Sequence, residues 1–395
     1  AASGTGTITD DDAAPTISSV TADTQTEGTD LVHTVTLSNA SSSSTSFAYS
    51  LGGGSATGGG TDYTTPPTFS NGVTLVAGNL IVPAGVTSFT ITVPTTLDTL
   101  DEGASETYSV SVGGVSNTGT ITDDDNAPTI SSVSDASATE ATSIVHTVTL
   151  SNASSVATTY SLSLVDGTAT GSGTDYTSTL LNANFSNGVT ISGGTITVPA
   201  GVTSFTVTVP TTSDSIDEAN ETYTLNVGAA SGTGTITDDD AAPTISTITS
   251  PSATEGSDLV YTATLSNASS IDTSYPFSLG GGSASAGDFG VPTFSNGVTL
   301  VAGNLIVPAG VTSFTVTVPS ASDAVAEGNE FVPITIGAAS ATGTIVDDDG
   351  VPTIASVTSD TQNEGVDLIH TVTLSNSSAS ITTYSLSLVD GTATG

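Results

Sequence analysis

Leu31–Leu37 reads LVHTVTL, with Leu31, His33, Val35 and Leu37 on one face of an extended chain and Val32, Thr34 and Thr36 on the other. Period-two alternation of β-branched residues predicts a half-buried strand. Outward from it, residues 86–93 (VTSFTITV) and 106–112 (ETYSVSV) carry the same alternation. Asn71-Gly72, Asn187-Gly188 and Asn296-Gly297 stand between apolar runs as two-residue hairpin signals. No segment combines helical periodicity with caps. Thr, Ser, Gly, Val and Ala dominate, a composition of strands and turns. Seven or more short strands in each stretch of about 110 residues predict an all-β chain of tandem immunoglobulin-like antiparallel β-sandwiches.

The repeat length comes from the acids. An Asp triplet occurs at Asp10, Asp123, Asp238 and Asp347, at spacings of 113, 115 and 109 residues, and each is followed by a Pro-Thr-Ile segment. Residues 67–90 and 292–315 are identical, and the opening AASGTGTITDDD recurs at 229–240. The division expected is residues 1–12 as the last strand of a preceding repeat, full repeats at 13–125, 126–240 and 241–349, and the first part of a further repeat at 350–395. The chain then reads as a window of a longer array. Alternatively, residues 4–9 and the tail pair between separate chains by strand addition. One donated strand, however, leaves the tail without equivalents of residues 171–228.

The 395 residues include 39 Asp plus Glu and no Lys or Arg. Nucleic acid binding needs cationic contacts to phosphate, which this chain cannot make. Attraction to an anionic membrane surface fails for the same reason. No apolar run approaches the roughly 20 residues of a membrane helix, so membrane insertion is not expected. Cysteine is absent, which removes disulfides and thiol chemistry. A charge of −39 without internal counter-charge calls for another neutraliser, and divalent cations fit.

If the strands run up and down each sandwich, the first, third and fifth connections and the end of the seventh strand meet at one pole. The acids sit there. The first repeat has Glu27, Asp62, Asp98, Glu102, Asp123, Asp124 and Asp125. The second has Glu140, Asp175, Asp214, Glu218, Asp238, Asp239 and Asp240, and the third Glu255, Asp288, Asp323, Glu327, Asp347, Asp348 and Asp349. With Asp10, Asp11, Asp12 and Glu364 these make 25 of the 39 acids. Such clustering is a metal site or a strong repulsion. Calcium takes six to eight hard oxygen ligands in flexible geometry, whereas zinc and copper favour His or Cys and magnesium demands a tighter octahedron. Calcium held at the Asp triplets would tie neighbouring repeats together.

The second repeat shows in order Ala138-Thr139-Glu140, HTVTLSNAS, Gly167-Thr168-Ala169-Thr170 leading to Thr174-Asp175-Tyr176, and strand SFTVTVP. Asp214 follows, then Glu218-Ala219-Asn220-Glu221-Thr222-Tyr223 and the closing GTITDDD. This ordered set resembles the Calx-beta family, whose members include regulatory domains of sodium–calcium exchangers, part of an integrin subunit and segments of large bacterial surface proteins. The resemblance covers essentially the whole chain. It implies calcium ligation by the first-loop Glu, the Asp of the Asp-Tyr step, acids of the fifth connection and the terminal Asp triplet. There are departures: fewer Asp in the fifth connection than the run that exchanger domains have, Asp288-Phe289 for Asp-Tyr, and Ala326 where Asp101 and Asp217 stand. The Asn-Gly region is longer than usual and is either a lateral contact surface or an elongated sheet edge.

His33, His146 and His370 share one strand position, where the third repeat has Tyr261, so a packed aromatic site is expected and not a catalytic base. No nucleophile elbow and no acid/base pair in an apolar pocket is legible, and no enzyme is expected. Asn39, Asn152, Asn267, Asn376 and Asn220 begin glycosylation sequons, the first four as turn residues. The function expected is a structural or adhesive extracellular array, secreted and bacterial: a calcium-rigidified rod serving as adhesin stalk, matrix fibre or filament. Its partners would be calcium ions, neighbouring repeats and identical chains in a fibre. The alternative is a module that binds glycan or protein through its loops.

Overall fold

The computed structural model describes residues 1–389, 391 and 392. The first repeat opens with β1 (Ile17–Val20) and β2 (Asp23–Thr26). There follow β3 (Leu31–Leu37), β4 (Thr45–Gly52), β5 (Thr68–Phe69), β6 (Thr74–Val76), β7 (Asn79–Val82), β8 (Ser88–Val93), β9 (Leu100–Asp101), β10 (Glu106–Val112) and β11 (Val115–Thr122). One sheet has the order β1-β3-β8-β5 and the facing sheet β2-β11-β10-β4-β7-β6. The alternation of β3 becomes burial: Leu31, His33, Val35 and Leu37 face the core, while Val32 is exposed. Each such apolar side chain contributes roughly 1.5–3 kcal/mol.

The sandwich is antiparallel except at one edge. β2 leaves the sheet of β1 and pairs with β11 in parallel, in register Thr26↔Thr122. Asn71-Gly72 is not a hairpin turn. It is the corner where the chain passes from β5, paired with β8, to β6, paired with β7. Both residues have positive φ (54° and 70°), and Asn71 Nδ2 donates to Ser88 O at 2.7 Å, fixing the corner to β8. The two-residue hairpin is one step later, at Ala77-Gly78 (φ 49° and 81°), with Gly193-Gly194 and Ala302-Gly303 as counterparts. An Ala with positive φ carries little sequence signal, which is why the wrong dipeptide stands out.

The shared His position lies inside the core. His33 is fully buried, with Nδ1 2.7 Å from Thr21 O and Nε2 2.9 Å from the Tyr108 hydroxyl. A carbonyl can only accept, so Nδ1 donates to Thr21 O. His146 and Tyr223 repeat the pair at 2.9 Å. In the third repeat Tyr261 donates instead to Val332 O at 2.6 Å, Val332 standing where the others have tyrosine.

The second and third repeats reproduce the arrangement. In the second, a 3-10 turn (Asn182–Asn184) and a single Phe185–Val207 bridge replace the ladder of β5. Three separate hydrophobic cores form, within residues 17–121, 130–236 and 245–345. The chain divides into two compact units, Ala1–Thr212 with Glu221–Ile236, and Ser213–Asn220 with Thr237–Gly395.

Within the first unit β9 pairs in parallel with Ala153–Ser154, and Ser155 N donates to Asp101 O at 2.8 Å. Within the second, Ile216–Asp217 pairs with Ala268–Ser269, and Val325–Ala326 with Ser377–Ser378. Asp217 Oδ2 accepts from Ser269 Oγ at 2.7 Å. Ser269 Oγ also lies 3.1 Å from the Asp217 carbonyl, and at Ala326 that carbonyl bond, from Ser378 Oγ at 3.1 Å, remains after the loss of the carboxylate.

Residues 1–16 form no strand, and Ile8 is 99% exposed. The same sequence at 230–237 is held by Glu221–Val227 and Ala136–Thr139, whereas residues 2–9 have no such neighbours among the described residues. In the tail, Ile354–Val357 pairs with Val372–Leu374. Residues 390 and 393–395 of that expected partial repeat lie outside the described residues.

Candidate metal centre

Topology brings the acids of the first repeat together. Because β2 and β11 run parallel and in register, the residues that follow them, Glu27 and Asp123, leave the sheet side by side. Glu27 N donates to Thr122 O at 3.2 Å. Asp62 is positioned by its neighbour Tyr63, buried with its ring centroid 4.8 Å from that of Tyr108. The Asp62 carboxylate also accepts the Thr57 N–H and closes its own loop. Asp98 Oδ1 accepts from Leu100 N at 2.7 Å, and Asp123 Oδ2 accepts from Glu102 N and Gly103 N, both at 3.1 Å.

In the first repeat, groups of carboxylates whose oxygens lie within 4.8 Å of one another include Glu27, Glu102 and Asp123; Glu27, Asp124 and Asp125; and Asp62, Glu102 and Glu106. Glu27 and Glu102 each belong to two groups, so the three form a linked series. Glu27 is only 7% exposed, and no N–H or hydroxyl donates to either of its carboxylate oxygens. None donates to buried Glu106 Oε2 or Asp125 Oδ2 either. Burial first, then contact with the Glu102 carboxyl, raises the Glu27 pKa to about 8. Burial and the Asp62 carboxyl raise that of Glu106 to about 7. Glu102 and Asp125 move in the same direction, burial again leading. With no Lys or Arg in the chain, such groups can be neutralised only by protons or by an external cation.

The third repeat builds its pole by the same rule. The register Thr254↔Val346 sets Glu255 beside Asp347, and Glu327 N donates to Asp347 Oδ2 at 2.9 Å. Burial and then Asp288 raise the pKa of Glu330 to about 7, and burial also leads the rise of Glu255, against a hydrogen bond from the Asp323 main chain, and of Glu327, where the Asp323 charge adds to it. Glu255 Oε2 and Asp349 Oδ2 are buried and receive no hydrogen bond, while Asp348 is exposed. Phe289 packs against the core as Tyr63 does, so the Asp-Phe step positions Asp288 without a hydroxyl.

Among the acids of the second repeat, Glu140 is buried, and Asp175 accepts from Thr170 N at 2.6 Å beside Tyr176, which is stacked 4.6 Å from Tyr223. Asp214 Oδ1 accepts from Ile216 N at 2.8 Å. Asp240 N donates to Asp238 Oδ1 at 3.3 Å, and burial, then Asp238 and Asp239, push the Asp240 carboxyl upward. Asp10, Asp11, Asp12 and Glu364 are exposed. Asp10 and Asp12 line a recess with Asn39 and Ser43.

Sequence reasoning missed Glu106, Glu221 and Glu330, each the first residue of a strand in its repeat. Their signal was a Glu recurring at one position, in ETY, ETY and EFV. A strand residue reads as framework, whereas this one sits at the strand's mouth among the loops.

The Calx-beta domain family matches residues 10–121 and 123–250. Among solved structures, CBD12 from CALX1.2 is 16% identical, with a TM-score of 0.22, over 54% of this chain and 79% of that one. The calcium binding domain CBD12 of CALX1.1 is 14% identical, with a TM-score of 0.23, over 52% and 79%. An I-band fragment from titin is 10% identical, with a TM-score of 0.24, over 85% and 99%. No curated protein matches the chain.

Proposed function

The chain belongs to the Calx-beta family, and on that premise we propose that its acid poles bind calcium and that the protein is a structural or adhesive extracellular array. In this reading bound calcium stiffens the repeats into a rod, the stalk of a surface adhesin, a matrix fibre or a filament. The observation that carries it is Glu27: a buried carboxylate to which no N–H or hydroxyl donates, set against the Glu102 carboxyl and further carboxylates, in a chain with no Lys or Arg. Glu27, Asp62, Asp98, Glu102, Asp123, Asp124 and Asp125 would hold the ions of the first pole, with Glu106 added. The ion supplies positive charge and bridges several oxygens at once, which suits a hard cation of high coordination number. Nothing in this reading calls for catalysis.

Calorimetric titration of the full chain, stripped with chelator, should show several calcium ions bound. Replacing Asp123, Asp124 and Asp125 together by Asn should lower the stoichiometry without unfolding the chain. X-ray scattering should report a stiffer molecule with calcium than with chelator. An unchanged heat of titration in the triple variant, or identical scattering in both buffers, counts against the reading.

A further inference from the structure

The chain segments that build the flank of each sandwich opposite the parallel edge carry no acid of their own, although in the third repeat Asp272 Oδ1 reaches in from outside to accept from Ala309 N at 3.1 Å. Residues 63–97, 176–213 and 289–322 contain no acid, although the chain holds 39. In the first repeat this stretch includes the hairpin β6–β7, and β6 is the last strand of its sheet. Its register is Thr74↔Ile81, Leu75↔Leu80 and Val76↔Asn79 around the two-residue turn. Val76 and Asn79 close that turn as a hydrogen-bonded pair, so Leu75 occupies the alternate position. Its N–H and C=O therefore point away from β7, and among the described residues no group bonds to them. Leu75 and Val76 are 37% and 55% exposed, and beside them a groove of about 450 Å³ runs along Tyr49, Leu51, Pro66 and Pro67.

The third repeat has the same edge. Thr299–Val301 ends its sheet, Leu300 takes the outward position, and a groove of about 580 Å³ adjoins it. The second repeat differs. Its outward residue is Ile191, and Asn182 Oδ1, from the 3-10 turn, accepts the Ile191 N–H at 2.8 Å. That bond confirms the outward direction of the N–H and occupies the edge. Exposed edge strands are ordinarily guarded by charges, prolines or covering segments. Two of the three here have no charge or proline within the edge strand itself and no bond from a covering segment.

We infer that the edges at Leu75 and Leu300 are lateral self-association sites, each taking the same edge of a second copy of this chain in antiparallel pairing. Charge selects that occupant. Copies of a polyanion repel wherever their acid poles meet, and this flank, built from segments without acid, is where they can approach. A cationic partner would be drawn to the poles instead. The two open edges lie in the identical segments 67–90 and 292–315, so every copy offers the surface that every other copy needs. The surface uses none of the pole acids and stands apart from calcium binding.

Sedimentation velocity of the full chain, in moderate salt to screen repulsion, should show concentration-dependent association with calcium and with chelator alike. The double variant L75E/L300E should weaken it roughly tenfold or more, since like charges then face each other across the pair. Its circular dichroism and calcium stoichiometry should stay those of the parent. N182A, which uncovers the Ile191 edge, should strengthen association. A monomeric parent overturns the inference, as does association that survives L75E/L300E or that disappears with chelator alone. A monomeric parent that binds an unrelated uncharged strand peptide at Leu75 overturns the choice of occupant. Association with no calcium binding would sink the calcium reading and leave this one standing.

Discussion

A Cβ built on Gly119 lies 2.3 Å from Tyr108 Cζ, one on Gly234 lies 2.2 Å from Tyr223 Cζ, and one on Gly343 lies 2.3 Å from the Tyr261 hydroxyl. Each glycine of the repeated Thr-Gly-Thr step thus leaves room for a buried tyrosine, and in two repeats that tyrosine holds the core histidine. Gly119→Ala should destabilise the first repeat by about 1–3 kcal/mol through overpacking. Urea denaturation checks this, with Gly4→Ala as a neutral control because nothing lies within 4 Å of it. These side chains show what was legible in the candidate site. Loop acids stood out because Glu27, Asp62, Asp98 and Asp123 recur at fixed places between strand signals. Glu106 did not, since its reach to Asp62 depends on which end of β10 faces the pole. The shared His position was legible as a packed aromatic one because tyrosine replaces it, but its hydrogen bonds depend on strands distant in sequence.

Among the elements, β3 and β10 were legible to the residue, because one face is buried and the other is not. The split of β1 from β2 was hidden, since a strand that changes sheets keeps its composition while its partners change. The two-residue ladders of Leu100–Asp101 with Ala153–Ser154 were also hidden, being too short to carry a periodicity. Next to that ladder lies a device the sequence displays as a sequon. Ser151 Oγ donates to Asn152 Oδ1 at 2.6 Å and accepts from Thr129 N at 3.0 Å, while Asn152 Nδ2 donates to Asn126 O at 2.9 Å. The same clamp stands at Asn39, Asn267 and Asn376, reaching back 26 residues each time. It ties the segment after an Asp triplet to the next sandwich and commits the amide that glycosylation would need. Asn152→Ala should cost about 1 kcal/mol and raise amide hydrogen exchange at Thr129 and its neighbours. Exchange there equal to that of the parent would show that the clamp holds nothing.

Over the whole molecule the net charge of −39 decides how stability follows pH. Glu27, Glu106 and Glu330 hold their protons to about pH 8, 7 and 7 in the folded chain, against an ordinary value of 4.5. The folded state therefore binds protons that the unfolded chain has already released. The stability these protons contribute is fully present below pH 4.5 and is lost as pH rises through the folded values, up to about 8. Without calcium, the melting temperature should accordingly fall across that interval, and added monovalent salt should recover part of the loss by screening. Saturating calcium should reverse the trend at its upper end, because the ion takes the place of the protons and binds best to carboxylates that have lost them. Binding near neutral pH should release protons, measurable as a heat that scales with the ionisation enthalpy of the buffer. Scanning calorimetry across the interval, in chelator and in excess calcium, tests both curves together. A calcium-free melting temperature that stays level or climbs would mean that the buried acids of the poles are ionised and stable without a counter-charge, and the physical ground for calcium at those poles would be gone.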